Sequence, residues 1–225
     1  MKFTSYGHSS FSIETDGKKL LFDPFISANE QAKHIDIDSI EADYILVSHG
    51  HADHIADVVY IAERTGATVI SNFEVVTWLK NQGVKNAHPM NFGPANFPFG
   101  KLHFLPAWHS SGLPDGSYGG NPGGFLLQTA EHNFYYSGDT CLMMDMQLIP
   151  RYAKLDFAIL PVGGNFTMDA ADAVIAAEFI QCNKVIGVHF DTFGYIVIDH
   201  SKAKEIFSAA GKELILPAIG EIIML

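Results

Sequence analysis

The sequence predicts an α/β protein in which two β-sheets pack face to face and helices cover the outside. Three observations lead to this. Short β-branched or aromatic runs bounded by turn residues recur along the chain. Helical periodicity enters mainly between the later strands of each half. Hydrophobic residues make up 48% of the chain and charged residues only 17%, enough apolar material for a large buried core. At 225 residues, with no repeat, low-complexity tract or Pro/Ser-rich linker, the chain reads as one domain over 1–225.

The elements follow in order. Strand signals open the chain at Lys2–Tyr6, Phe11–Glu14 and Lys19–Phe22, with Thr15-Asp16-Gly17-Lys18 as the turn between the last two. Tyr44–Val47 is a short apolar run of the kind that forms a buried strand. The pattern turns helical from Ile55 to Arg64 and ends near Gly66; strand Thr68–Ile70 and a helix over 72–81, stopped by Gly83, come next. The middle reads as strands Lys101–Leu105, Gly124–Gln128 and Asn133–Ser137. A helix near Met143–Tyr152, strand Phe157–Leu160, helix Asp169–Ile180, strand Lys184–Val188 and helix His200–Ala209 follow, and strands Leu214–Leu216 and Ile222–Met224 close the chain.

Composition narrows the function classes. No apolar run approaches the roughly 20 residues that cross a bilayer, so membrane insertion is not expected. The first residues lack the basic, apolar and small-residue segments of a secretory signal, which makes a cytoplasmic location the expectation. Cys141 and Cys182 form no CxxC pair and read as reduced thiols serving as small core residues. A formal charge of −11, with no Lys/Arg cluster to offset it, disfavours nucleic acid as a partner.

Chemistry concentrates just after predicted strand ends. Ser48-His49-Gly50-His51-Ala52-Asp53-His54 follows the strand ending at Val47 and packs three histidines and a carboxylate into six residues, donors that suit divalent transition metals. The spacing of His49 and His51 lets an extended loop aim both rings at one ion, while Asp53 and His54 turn toward a second. Gly50 and Ala52 leave the backbone room to bend.

The HGHADH string resembles the HxHxDH signature of the metallo-β-lactamase superfamily. Matches for that family's outlying ligands stand in the family's order: His109 in Ala107-Trp108-His109-Ser110, Asp139 in Ser137-Gly138-Asp139-Thr140 and His189 in Val188-His189-Phe190. Tyr6–Phe11, Leu21–Phe25 and Gly163–Met168 are similar to the UPF0173-type metal-dependent hydrolases, relatives of the ascorbate-6-phosphate lactonases. The resemblance implies a four-layer αββα sandwich, the metallo-β-lactamase fold, with the site at one edge of the sheets. It gives His49, His51 and His109 to a first metal, Asp53, His54 and His189 to a second, and Asp139 to both. Two divalent cations against two aspartates and one hydroxide leave a single net positive charge, able to stabilise an oxyanion.

The expected reaction is hydrolysis of a small ester, lactone or phosphoester by a hydroxide that two metals activate, with Asp53 orienting it. Zinc is the first expectation for the ions, and manganese, nickel or iron also suit the donors. Alternatives are a phosphodiesterase acting on lipid or nucleotide, and a metal-binding sensor or scaffold without turnover. Ser48, Ser110 and Ser111 sit in no nucleophile-elbow context and read as supporting groups. His8 either donates a proton or contacts substrate as a catalytic group, or is a hydrogen-bonded core histidine. Asp23 is either the partner of a ligand histidine's second nitrogen or a turn former. Asn165 borders a possible cleft, and Tyr118 is a substrate contact if the glycine-rich stretch Ser110–Gly124 flexes over the site; that stretch reads equally as a surface connection. A small-molecule substrate is expected, and the sequence is compatible with a homo-oligomer.

Overall fold

Adjacent residues along most strands belong to different cores. In a computed structural model that describes residues 1–225, Phe134 and Tyr136 enter one cluster while Tyr135 between them enters another. Phe157 and Ile159 likewise alternate with Ala158 and Leu160. Side chains on a strand point alternately to its two faces, so these strands face the opposite sheet on one side and helices on the other.

The first sheet contains β1 (Lys2–Gly7), β2 (Ser10–Thr15), β3 (Lys18–Phe22), β4 (Tyr44–Leu46), β5 (Thr68–Asn72), β6 (Ala87–Met90) and β14 (Ile222–Met224), in the order β14-β1-β2-β3-β4-β5-β6. The second contains β7 (Gly93–Phe97), β8 (Gly100–Pro106), β9 (Gly123–Gln128), β10 (Asn133–Tyr136), β11 (Phe157–Pro161), β12 (Lys184–Val188) and β13 (Glu213–Ile215), in the order β13-β12-β11-β10-β9-β8-β7. Between the sheets lies an aromatic layer in which Phe11 stacks on Phe22 at 4.5 Å and meets Tyr136 edge-on at 5.1 Å. Helices α2 (Val58–Thr65) and α3 (Phe73–Asn81) cover the first sheet; α5 (Ala170–Phe179) and α6 (His200–Ala209) cover the second. The result is the four-layer αββα sandwich.

Strand direction decides where functional groups can meet. β1 and β3 both pair antiparallel with β2, and β4 runs parallel to β3. In the other sheet β8 and β10 flank β9 antiparallel, and β11 and β12 continue parallel to β10. The C-terminal ends of β1, β3 and β4 therefore share one rim of their sheet, and those of β8, β10 and β12 share one rim of theirs.

The departures from the sequence reading have local causes. The helix expected over 55–64 divides into α1 (Ala52–Ile55) and α2, because Asp57 between them turns its carboxylate to the backbone N–H groups of Ile26 and Ser27. The helix expected near Met143–Tyr152 begins as a 3-10 turn over Met144–Leu148; α4 (Ile149–Tyr152) starts only where Pro150, lacking an N–H, fits the first turn. Edge-side β6 and β7 carry Pro89 and Pro94 and expose much of their surface, so they lack the signals of a buried strand. Cys182 is buried as expected, but Cys141 is exposed: it follows Asp139 on the rim, where its side chain leaves the core.

Burial also raises the Cys182 thiol above its usual range, which suppresses the reactive thiolate. In native protein iodoacetamide is expected to label Cys141 and spare Cys182 until denaturant is added. Equal labelling of both by mass spectrometry would contradict the burial of Cys182.

Candidate metal centre

Six strand ends deliver the side chains. His8 follows β1, Asp23 follows β3, and the Ser48–His54 loop follows β4; His109, Asp139 and His189 follow β8, β10 and β12. Three of these residues have left-handed backbone: φ is 53° at His8, 41° at Asp23 and 56° at His189. Such φ values are uncommon outside glycine, cost on the order of 1–3 kcal/mol each, and gather at functional sites. Here they turn the chain sharply as it leaves the sheet.

His49, His51 and His109 bring their nitrogens within 4.8 Å of one another, as do the donor atoms of His49, His54 and Asp139, and those of His8, Asp53, His54 and His189. Asp139 stands at the centre. Its Oδ2 is 3.0 Å from His189 Nε2, 3.2 Å from His54 Nε2 and 3.7 Å from His109 Nε2. Asp139 Oδ1 and His54 Nε2 are buried without a hydrogen-bond partner. Buried polar atoms are normally paired, so two unpartnered atoms amid converging donors fit a divalent cation. On the other side of the set His49 Nε2 and His51 Nδ1 lie 2.9 Å apart, within hydrogen-bond distance of each other.

The surrounding bonds fix which nitrogen each ring presents. Ser48 Oγ lies 2.9 Å from His49 Nδ1, and Ser110 Oγ lies 3.1 Å from His51 Nε2, which leaves His49 Nε2 and His51 Nδ1 inward. Asp23, fully buried, accepts from Ser48 N at 2.7 Å, Ser48 Oγ at 2.6 Å and Tyr136 Oη at 2.6 Å, and lies 2.8 Å from His54 Nδ1. It is the carboxylate behind a candidate ligand histidine, an arrangement that holds tautomer and ring orientation together.

Electrostatics follow from burial and these neighbours. Burial holds His49 well below the usual histidine range and also lowers His51 and His109, so all three rings are neutral near pH 7 and able to ligate. Burial alone would also depress His54, but the Asp139 and Asp23 carboxylates outweigh it and hold the ring well above that range. Two buried carboxylates thus demand positive charge between them, which a proton or a cation can supply. Asp139 is opposed by its own burial yet held well below the carboxylate range by His189 and His54.

The remaining candidates divide. His8 is buried behind Asp53, with Nε2 3.1 Å from Asp53 Oδ2 and Nδ1 3.0 Å from the Thr192 hydroxyl; burial pushes it down to about 4. It adjoins a smaller, partly open pocket, not the cleft that Asp53 lines, so direct substrate contact by His8 is not what the geometry provides. Tyr118 also lies outside that cleft, over a groove with Phe73 and Trp78, because its loop is tied down: Gly119 N donates to Ser111 O, and Asn72 Nδ2 donates to Gly119 O. The glycine-rich stretch is a brace, whose Ser111 Oγ accepts from Gly50 N. A Cβ at Gly50 would meet Leu113 Cδ2 at 2.9 Å, so any larger residue there would require the Leu113 side chain to shift. Asn165 is exposed at φ 56°, a turn residue beside the cleft and not in its wall. Sequence reading missed the cleft's other wall, formed by Phe25, Phe166, Phe193 and Tyr195; isolated aromatics on loops carry no pattern that marks them.

Comparison with known proteins identifies the family. Residues 18–190 match the family model described as the beta-lactamase superfamily domain. The chain is 53% identical to a UPF0173 metal-dependent hydrolase of Flavobacterium johnsoniae and 50% identical to one of Christiangramia forsetii, each match covering 100% of both chains. Among solved structures it superposes on Igni18, a metallo hydrolase from Ignicoccus hospitalis, with a TM-score of 0.88 and 31% identity, over 99% of this chain and 97% of that one.

Asp23→Asn replaces one acceptor oxygen with a donor amide and cannot serve all four contacts. The expected outcome is metal affinity weaker by about 10–100-fold and stability lower by about 1–3 kcal/mol. Chelator competition and thermal melts measure these, and an unchanged affinity would remove Asp23 from any role in orienting His54.

Proposed function

We infer the reaction from one premise: this chain belongs to the UPF0173 metal-dependent hydrolases of the metallo-β-lactamase superfamily and is a metal-dependent hydrolase. We propose that His49, His51 and His109 hold one divalent cation, that Asp53, His54 and His189 hold a second, and that Asp139 serves both. One observation carries this reading: a single oxygen, Asp139 Oδ2, lies within 3.7 Å of imidazole nitrogens from three separate segments. Zinc is the first choice for these nitrogen and oxygen donors, and manganese, nickel or iron are also compatible. Cations held there supply Lewis acidity, which ionises water near neutral pH and polarises a substrate carbonyl or phosphoryl oxygen.

The side chains supply orientation and proton handling. Asp53 is the more open of the two carboxylates, with 27% of its side chain accessible against 3% for Asp139. His8 Nε2 occupies Asp53 Oδ2 from behind, which leaves Oδ1 as the oxygen with which Asp53 would help hold the second cation and orient the attacking water. His8, neutral near pH 7, is a positioning residue in this scheme. The hydroxyls of Ser110 and Thr192 border the cleft and are hydrogen-bonded to His51 and His8; in this scheme each hydroxyl holds its histidine in place, water attacks the substrate directly and no acyl-enzyme forms. The substrate is a small ester, lactone or phosphoester.

Metal analysis joined to a hydrolysis panel tests the proposal. Protein loaded with zinc or manganese is expected to carry two ions per chain, and chelation should abolish hydrolysis of ester, lactone and phosphoester probes. Asp139→Ala should lose ions from both positions, and Asp53→Ala should lower kcat by about 10²–10⁴-fold. One ion per fully active chain, or activity indifferent to chelation, would refute the two-cation scheme.

A further inference from the structure

Opposite the candidate ligands, the cleft wall is largely carbon. Its volume is about 960 Å³, within the usual range for small-molecule sites. Phe25 comes from the connection after β3, Phe166 from the one after β11, and Phe193 and Tyr195 from the one after β12. Three of these rings are left open to solvent: Phe193 is 38% exposed, Phe166 49% and Tyr195 79%. Phe166 meets Tyr195 edge-on with centroids 6.1 Å apart, and Phe25 lies 6.3 Å from Phe193. Open aromatic surface gathered beside a reactive centre is characteristic of a binding groove.

Charge decides what that groove takes. The chain has 14 lysines and arginines, and none borders the cleft. Its only side-chain hydroxyls besides that of Tyr195 are those of Ser110 and Thr192, which already face His51 and His8. A phosphate borne on a non-reacting part of the substrate would meet no guanidinium or ammonium, although bidentate or charge-assisted donors are the usual means of binding one. Carrying that charge against aromatic walls would also forfeit its hydration.

Building on the proposed hydrolysis, we propose that the substrate is an uncharged carboxylic ester or lactone whose non-reacting part is an apolar group about the size of a phenyl ring, seated against Phe166, Phe193 and Tyr195. Water adds to the carbonyl carbon, the C–O bond breaks, one proton from water is passed to the leaving alkoxide and the other is released to solvent, and the products are a carboxylate and an alcohol, joined in one molecule when the substrate is a lactone. No oxidant or co-reactant is required.

Metal-loaded protein is assayed with dihydrocoumarin, δ-valerolactone, phosphogluconolactone, 4-nitrophenyl phosphate and bis(4-nitrophenyl) phosphate. Calorimetric titrations with phenylacetate and with inorganic phosphate supply a readout independent of turnover. The expected result is kcat/KM for dihydrocoumarin at least about tenfold above that for δ-valerolactone and above every phosphorylated probe. Tyr195→Ala and Phe193→Ala should shrink the dihydrocoumarin-to-valerolactone ratio, and both should weaken phenylacetate binding. Because Tyr195 is so exposed, its replacement is compatible with folding. Preference for phosphogluconolactone or for either nitrophenyl phosphate would overturn the inference, as would phenylacetate binding indifferent to both substitutions. If no probe is turned over with both ions bound, the hydrolytic scheme fails, while phenylacetate binding that depends on Tyr195 still upholds the apolar subsite.

Discussion

The site depends on one buried carboxylate. Asp23 joins the end of β3 to the loop after β4 through Ser48 and His54, and to the opposite sheet through Tyr136. Taking an ionised carboxylate out of water costs several kcal/mol, and hydrogen bonds to a charged group return about 1.5–3 kcal/mol each. The balance is favourable only while all the contacts persist together. The spacing of the two sheets at this rim is therefore tied to the orientation of His54, and through it to the whole donor set. Tyr136 has two duties, since its ring packs edge-on against Phe11 and Phe22 in the inter-sheet core while its hydroxyl holds Asp23.

Around that anchor the fold accepts local strain in exchange for aim. His8, Asp23 and His189 leave their strands in left-handed backbone, and Gly138, at φ 61°, precedes Asp139 where a Cβ would meet Gly123 O at 2.6 Å and Ser48 Cβ at 2.8 Å. Parallel strand ends bring these turns to a common rim. The glycine-rich stretch after His109 holds the HGHADH loop from outside through Ser111 and Gly50. Rigid support of this kind matters because a candidate site works only when its side chains are held close to their productive geometry.

The cleft differs sharply across its width. One wall is a dense set of histidines and aspartates held by hydrogen bonds, and the other is aromatic and partly open. Net charge over the chain, at −11, describes neither wall. Long-range repulsion of anions and local chemistry are separate effects, and divalent cations in the polar wall would reverse the sign where it matters.

By itself the sequence determined the layers, most of the strands and the candidate donor residues. Runs such as Phe134–Tyr136 and Phe157–Leu160 are legible because they are continuously apolar over a few residues, and HGHADH is legible because its candidate donors are adjacent. His109, Asp139 and His189 stood out only through a family resemblance, yet the fold brings them to the same point. Tertiary structure alone decided between the two readings of Asp23, put His8 behind Asp53 instead of in the cleft, tied Tyr118 away from it, and assembled Phe25, Phe166, Phe193 and Tyr195 into a wall. The physical reason is range. Periodicity and short motifs are set by neighbours along the chain, whereas a hydrogen bond such as that from Tyr136 to Asp23, or a pocket built from three loops, depends on how distant segments pack.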